Sequence, residues 1–469
     1  MREKWASKLG LILAMAGTAV GLGNFLRFPV QAAQHGGGAF MIPYIVSFLV
    51  VGIPLMWIEW TIGRRGGGHG FGTSSAMLET LWPTGAARYL GVLGIGIPLL
   101  VAAYYVYIVS WCLGYSIFSL FNLFPEHATR ASMGAFLGDY LNGSREWLAI
   151  TLLVVTLALN YWINYRGVQK GIETVAKIGI PMLFLFAIIL VIRTFTLGAP
   201  DPAKPDWSVD QGMGFVWNPN FSALGDPRAW VAAAGQIFFT LSLGMGVIHV
   251  YASYTNPDDD IAVTGIAAAT LNEIAEVVIG ASLAIPLAFA YFGHDGAVDI
   301  AKGGAFDLGF HSMAVAFQQM PLGNIFGALW FGLLFIAGLT SSISMSQPAI
   351  AFAMDHWGVS RERAATLVWT FIALILVPAV VGDGYIDALD FWIGTMSLAA
   401  FALVEVLIFS YAFGVKRGLK LLRHGALMPV PEWIGFVMKY ITPAFLAVIL
   451  GWWLVEDMPK VLRMEGIDP

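Results

Sequence analysis

The residues of this sequence best suited to chemistry are oxygen donors and acids set inside apolar stretches. Thr340, Ser341 and Ser342 stand together in AGLTSSISM (337–345). Three hydroxyls there either bond back to carbonyls of their own helix or offer oxygens to a small hard cation. Asn272 and Glu276 lie one helical turn apart and share a face, which sets an amide oxygen beside a carboxylate. Glu59, Glu273 and Glu405 are further acids in apolar stretches, where a charge is costly and faces a pathway or a partner. Alkali cations want several oxygens and no soft ligand, and the sequence shows no His or Cys cluster of the kind that selects a transition metal. No Ser/His/Asp or phosphate-cradling constellation points to an enzyme. The one cysteine, Cys112, excludes an intrachain disulfide and suits a small core position.

Glycine supplies the second chemical signal. GTAVGLGNFLRFP (17–29) carries Gly17, Gly21 and Gly23, and QIFFTLSLGMG (236–246) carries Gly244 and Gly246. Each glycine costs a helix interior about 1 kcal/mol against alanine. Such residues also allow close helix packing. Clustered with Thr18, Asn24, Thr240 and Ser242, they point instead to unwound backbone, which a bilayer tolerates only where it is buried in protein or lines a cavity. GLGNFL lacks the third glycine and the preceding strand of a dinucleotide fingerprint.

The elements that must position these residues are membrane spans. Of 469 residues, 58% are hydrophobic and 12% charged, about half the charged share of a soluble domain. The apolar residues fall in blocks of about 20, the length that crosses a bilayer. Eleven spans are expected, near 9–32, 38–62, 87–120, 146–164, 171–194, 229–254, 262–291, 321–354, 361–381, 386–412 and 433–457. The two glycine-rich breaks fall in the first and sixth. They sit five spans apart, an odd offset, so the broken segments run in opposite directions, the pattern of an inverted repeat with its site between broken helices. Lys and Arg concentrate on alternate loops and place the N-terminus in the cytoplasm. Loops near 120–145, 195–228 and 292–320 are long enough to serve as lids. No basic patch suggests nucleic acid.

With GLGNFLRFP, GGGAFMIPY (36–44), IPLMWIEW (53–60), GQIFFTLSLG (235–244), AATLNE (268–273) and AGLTSS (337–342) all present, the chain resembles the neurotransmitter:sodium symporter family, and closely its bacterial leucine-transporting branch. The resemblance runs from about Trp5 to about Pro459. It implies an all-α membrane protein of about eleven transmembrane helices, a five-plus-five inverted repeat with discontinuous helices 1 and 6. One transporter domain would fill 1–469, with repeats at 1–200 and 228–415 and a peripheral eleventh helix in 416–469. The implied activity is sodium-coupled, chloride-independent symport of neutral, hydrophobic L-amino acids into the cell, across the inner membrane. An amino-acid sensor on the same scaffold, binding without accumulating, is the alternative. The implied partners are a neutral amino acid and the lipid bilayer; a homodimer stays open.

Two sodium sites follow from the resemblance. The first would use Ala19, Asn24, Thr240, Asn272 and the substrate carboxylate; the second, Gly17, Val20, Ala337, Thr340 and Ser341. The substrate carboxylate would meet the N–H groups of Leu22 and Gly23 and the hydroxyl of Tyr105, and its ammonium would meet Ala19, Phe239, Thr240 and Ser242. Thr18, Val101, Tyr105, Ile108, Phe239, Ser242, Met245, Ser341 and Met345 would surround the side chain. Thr18, Met245 and Met345 depart from the branch's asparagine, phenylalanine and isoleucine, and flexible methionines suit a looser pocket. Arg27 and Asp390 would pair as the outer gate; Arg2, Trp5, Ser253, Tyr254 and Asp355 would close the inner side. Glu276 stands where chloride-dependent relatives carry serine, so its charge would replace the anion.

Overall fold

The computed structural model describes residues 3–382 and 384–459, and every regular element among them is helical. Nine helices there are long and apolar enough to cross a membrane: Gly37–Gly68, Gly85–Leu120, Glu146–Tyr165, Val168–Phe195, Ile261–Lys302, Gly323–Trp357, Arg361–Val381, Tyr385–Arg423 and Ile434–Glu456. The expected first and sixth spans complete the set, each in two pieces.

The first begins at Ser7, whose hydroxyl accepts the Gly10 N–H at 3.0 Å, the usual role of an N-cap serine. Lys8–Ala19 then runs until Val20 and Gly21 turn extended. The helix resumes over Leu22–Phe25 and Arg27–Gln34. Pro227–Thr240 starts the sixth span, and Val247–Ser253 ends it. Between them Ser242, Gly244 and Gly246 all take positive φ, at 54°, 68° and 67°. A Cβ on Gly244 would also stand 2.2 Å from the Leu398 carbonyl oxygen. Conformation and crowding both demand glycine there.

The breaks sit in the packed centre of the molecule. Lys8–Ala19 packs on Ile261–Glu273, Thr174–Phe195 and Gly323–Met345, while Leu93–Leu120 lies along Gly323–Met345. Those last two belong to the third and eighth spans, again five apart. By contrast, only 33% of the most apolar window of Val168–Phe195 is buried, against 78% for Ile261–Lys302. The former therefore meets lipid along most of its surface.

The long loops are ordered by helices of their own. Arg130–Asn142 starts at a reciprocal Thr129–Ser132 capping box, which satisfies two orphan N–H groups. Val209–Trp217 starts at Ser208. Ile261–Lys302 bends at Gly293, where φ is 70°.

Candidate functional site

Where the first helix stops, the carbonyls of Gly17, Thr18, Ala19 and Val20 fall outside the helical ladder. Ser341 reaches two of them, donating toward the Gly17 and Thr18 oxygens at 3.3 Å each and toward Ala337 at 3.1 Å. The Thr340 hydroxyl meets the Ala337 oxygen at 3.0 Å. Five neutral oxygens thus converge between the broken helix and Gly323–Met345, with both hydroxyls buried. The set carries no charge and no soft atom, a donor chemistry that fits an alkali cation. Both readings of these hydroxyls hold together: they bond back to their own helix and face the unwound backbone.

A second cluster lies across the break. The Asn24 carbonyl oxygen accepts the Gly21 N–H at 2.8 Å. Its amide N–H groups face Asn272 Oδ1 at 2.8 Å, Glu276 Oε2 at 3.1 Å and Thr240 Oγ1 at 3.3 Å. Thr240 donates to Glu276, and Asn272 donates to Thr240 at 3.0 Å. Asn24, Thr240, Asn272 and Glu276 are all buried. A π-helical turn over Ile274–Gly280 re-aims Glu276 on the same helix as Asn272; such widened turns recur at functional sites. Amide, hydroxyl and carboxylate oxygens converging on N–H groups also fit a monovalent hard cation. That cation would take the place the Asn24 amide now fills.

Between the clusters lies the second half of the first break. The Leu22 N–H donates to the Tyr105 hydroxyl at 3.0 Å, and Ser242 donates to the Thr18 carbonyl at 3.0 Å. A Cβ on Gly21 would stand 2.8 Å from that Tyr105 hydroxyl. A cavity of about 120 Å³ opens above, lined among others by Leu22, Gly23, Tyr105, Ile108 and Phe239. Val101, Met245 and Met345 are buried in the core without lining it.

Arg27 and Asp390 line the same cavity, but they do not form the expected ion pair. Arg27 stacks on the Phe239 ring at 4.7 Å, and Asp390 accepts the Tyr104 hydroxyl at 2.7 Å. Ala305 and Phe306 cover part of the opening. Their segment is tied down next door, where Arg130 holds Asp299 at 2.7 Å and also Asp307. Burial would raise the Asp307 carboxyl, but hydrogen bonds from His311 and Arg130 outweigh it and hold the group below its ordinary range.

Most of the residues expected at the inner gate are held in place by hydrogen bonds and ring contacts. Trp5 donates to the Tyr251 carbonyl at 3.0 Å and packs edge-on against Tyr251 and Tyr254. Glu3 pairs with Arg361, and Ala6 N–H and Ser7 both bond Glu173 at 2.8 Å. Ser253 is buried and donates to the Val250 carbonyl at 2.5 Å. Asp355 accepts the Gly72 N–H at 2.6 Å. Arg2, also expected to help close this side, lies outside the described residues.

Three groups escaped the sequence reading. Gln236, one turn before Thr240, donates to Glu276 Oε1 at 2.6 Å, and its i, i+4 spacing could have revealed it. Tyr104 holds Asp390. His249 stands with Glu59 and Glu405, and their candidate ligand atoms all lie within 4.8 Å of one another. The chain thus does assemble a His-containing cluster, from residues too far apart in sequence to be seen as one.

A helical bundle with two unwound spans, oxygen clusters beside both, and a cavity above them defines a multi-pass membrane transporter. Residues 2–133 and 142–464 match the Sodium:neurotransmitter symporter family, and the chain belongs to it. An uncharacterized sodium-dependent transporter of Methanocaldococcus jannaschii is 30% identical, covering 98% of this chain and 91% of its own. The mouse sodium-dependent neutral amino acid transporter B(0)AT3 is 26% identical, covering 89% and 78%. The crystal structure of MhsT in complex with L-phenylalanine matches with a TM-score of 0.82 and 29% identity, covering 96% of this chain and 99% of that one. The sodium-dependent family makes sodium the coupling ion and a transporter, not an enzyme, the class of the protein.

Proposed function

We propose that this protein accumulates neutral, hydrophobic L-amino acids by symport with two sodium ions, without chloride. The observation that carries the reading is the pairing of oxygen clusters on either side of the Val20–Gly21 break, one neutral and one containing Glu276. The neutral set of Gly17, Val20, Ala337, Thr340 and Ser341 holds one ion. Ala19, Asn24, Thr240 and Asn272 hold the other, completed by the substrate carboxylate.

That carboxylate lies on the Leu22 and Gly23 N–H groups, at the positive end of a helical segment. The Tyr105 hydroxyl, now the acceptor of the Leu22 N–H, turns to donate to it. The ammonium meets the Ala19, Phe239 and Thr240 carbonyls and Ser242. The side chain lies among Val101, Ile108, Met245, Ser341 and Met345, with Thr18 beside them. Glu276 supplies the fixed negative charge that makes chloride unnecessary. Alternating access moves the repeats at 1–200 and 228–415 against each other, with 416–469 peripheral. Arg27 and Asp390 close outside, and Trp5, Ser253, Tyr254 and Asp355 close inside. The chain sits in the cell membrane with its N-terminus in the cytoplasm, as its Lys and Arg distribution supports.

The test is uptake of labelled neutral amino acids into proteoliposomes, with and without an inward sodium gradient, in chloride or gluconate. Accumulation that needs sodium and ignores chloride is expected. Binding without accumulation would indicate a sensor, and accumulation indifferent to sodium would remove both ion sites.

A further inference from the structure

The side of the sixth-span break that faces away from the sodium clusters holds a different kind of group. Glu59 Oε1 accepts the Gly244 N–H at 2.8 Å, so this carboxyl fixes the unwound backbone directly. His249, on the half-helix after the break, is held through Nδ1 by the Ser74 hydroxyl at 3.0 Å. Its Nε2 points at Glu405 Oε1, 3.5 Å away. All three side chains are fully buried, at 0% exposure. Glu59 Oε2, His249 Nε2 and both oxygens of Glu405 have no hydrogen-bond partner.

Buried polar atoms are nearly always paired, and four orphans facing one another call for a missing ligand. Among the described residues, no lysine or arginine pairs with either acid. Among the titratable groups on the elements packed around them, those facing the three are the three themselves. Arg64 turns away to the Asp259 and His424 carbonyls, and Arg65 to the Phe413 ring. Tyr251 packs on Trp5, and Asp355 is held by Gly72. A divalent ion would find three donors, one short of a tetrahedral set. A proton needs only two. Placed on Glu405, it is donated to Glu59 Oε2 or to His249 Nε2, and the remaining negative charge rests on Glu59, where Gly244 already donates.

We propose that Glu59, His249 and Glu405 form a proton-binding site, with Glu405 as the carrier, and that its occupancy changes as the sixth span rearranges during transport. The three residues come from three helices, Ile53–Gly68, Val247–Ser253 and Leu398–Leu407, the first of which packs closely on the second and more sparsely on the third. Any motion of Val247–Ser253 shifts His249 and the Gly244 N–H relative to Glu405. The proton is then released to, or taken from, the medium on the side that opens, making a proton a further coupled ion beside sodium. This rests on the transport reading above, but the sodium clusters share none of these residues.

The experiment uses full-length protein in proteoliposomes with a trapped pH-sensitive dye, a sodium gradient and labelled L-phenylalanine. Wild type should change internal pH as substrate enters. Glu405→Gln, which mimics the protonated carboxyl in shape, should keep uptake within threefold while cutting the substrate-driven pH change at least fivefold. His249→Asn, a second variant of independent folding risk, should shift the pH dependence of uptake. No pH change in accumulating wild type would overturn the proposal, as would full retention in Glu405→Gln with loss only in Glu276→Gln. Stoichiometric divalent metal in purified wild type, lost in His249→Asn, would make this a metal site and also overturn it. Absence of uptake in wild type would instead sink the transport reading.

Discussion

The two helix breaks do the same thing to the backbone and are held in different ways. At the first, Gly21 is flanked by neutral groups: the hydroxyls of Ser341 and Tyr105 and the amide of Asn24. At the sixth, ionisable side chains touch the unwound stretch or its edge, Glu59 at Gly244 and Glu276 at Thr240. A break held by neutral dipoles offers its carbonyls to a cation without competing for it. One held by carboxylates must settle where their charge goes before it can move. On the proposed function, the first break receives ions and the second responds to them.

The comparison can be broken most severely at Gly244. Gly244→Ala adds a Cβ 2.2 Å from the Leu398 oxygen in a backbone of φ 68°, and should cost about 4 kcal/mol or more, as buried strain and overlap do. Thermal unfolding in detergent would show it as a fall in melting temperature or loss of folded protein. An unchanged melting temperature would mean that the sixth break is not fixed by glycine.

A smaller effect sharpens the other side. Ser341→Ala removes one neutral oxygen from the first break and leaves the backbone intact. The sodium concentration for half-maximal uptake should rise about tenfold, the equivalent of roughly 1.4 kcal/mol, with little change in melting temperature. An unchanged sodium dependence would remove Ser341 from the ion set.

The smallest expected effect lies outside both breaks. Because Asp307 is held below the ordinary carboxylate range, its contribution is complete above that range and is lost as pH falls through its lowered value. Hydrogen exchange of residues 304–312, corrected for intrinsic rate, should stay constant from pH 7 to 5 and accelerate about threefold below about pH 4. Arg130→Ala should bring that acceleration to pH 7. Exchange indifferent to both would show that the segment over the cavity is held by packing alone.

Much of this was legible in the sequence because bilayer physics writes in long apolar blocks. The eleven expected spans are found in their places, most within a few residues, though Ile261–Lys302 and Tyr385–Arg423 run eleven residues past their expected ends, and both breaks fall on the glycine clusters that signalled them. Asn272 and Glu276 were legible as a pair because one helix carries both. His249 was not: a lone histidine in VIHVYASY has no periodic partner, and its acids come from the second and tenth spans. The Arg27–Asp390 pair expected from the sequence is not formed here, where Arg27 stacks on Phe239 and Asp390 takes the Tyr104 hydroxyl. Residue identity alone does not choose among such partners.

The Leu22–Tyr105 hydrogen bond has a consequence for selectivity. The phenol occupies a backbone N–H on which, in the proposed transport cycle, the substrate carboxylate takes its place. A carboxylate does so at a gain, since a charged acceptor makes the stronger bond and leaves the phenol a new acceptor for its own proton. An amine with no acid group has nothing to offer in exchange. On this view the site rejects simple amines by leaving its own tyrosine in possession, without any clash against them.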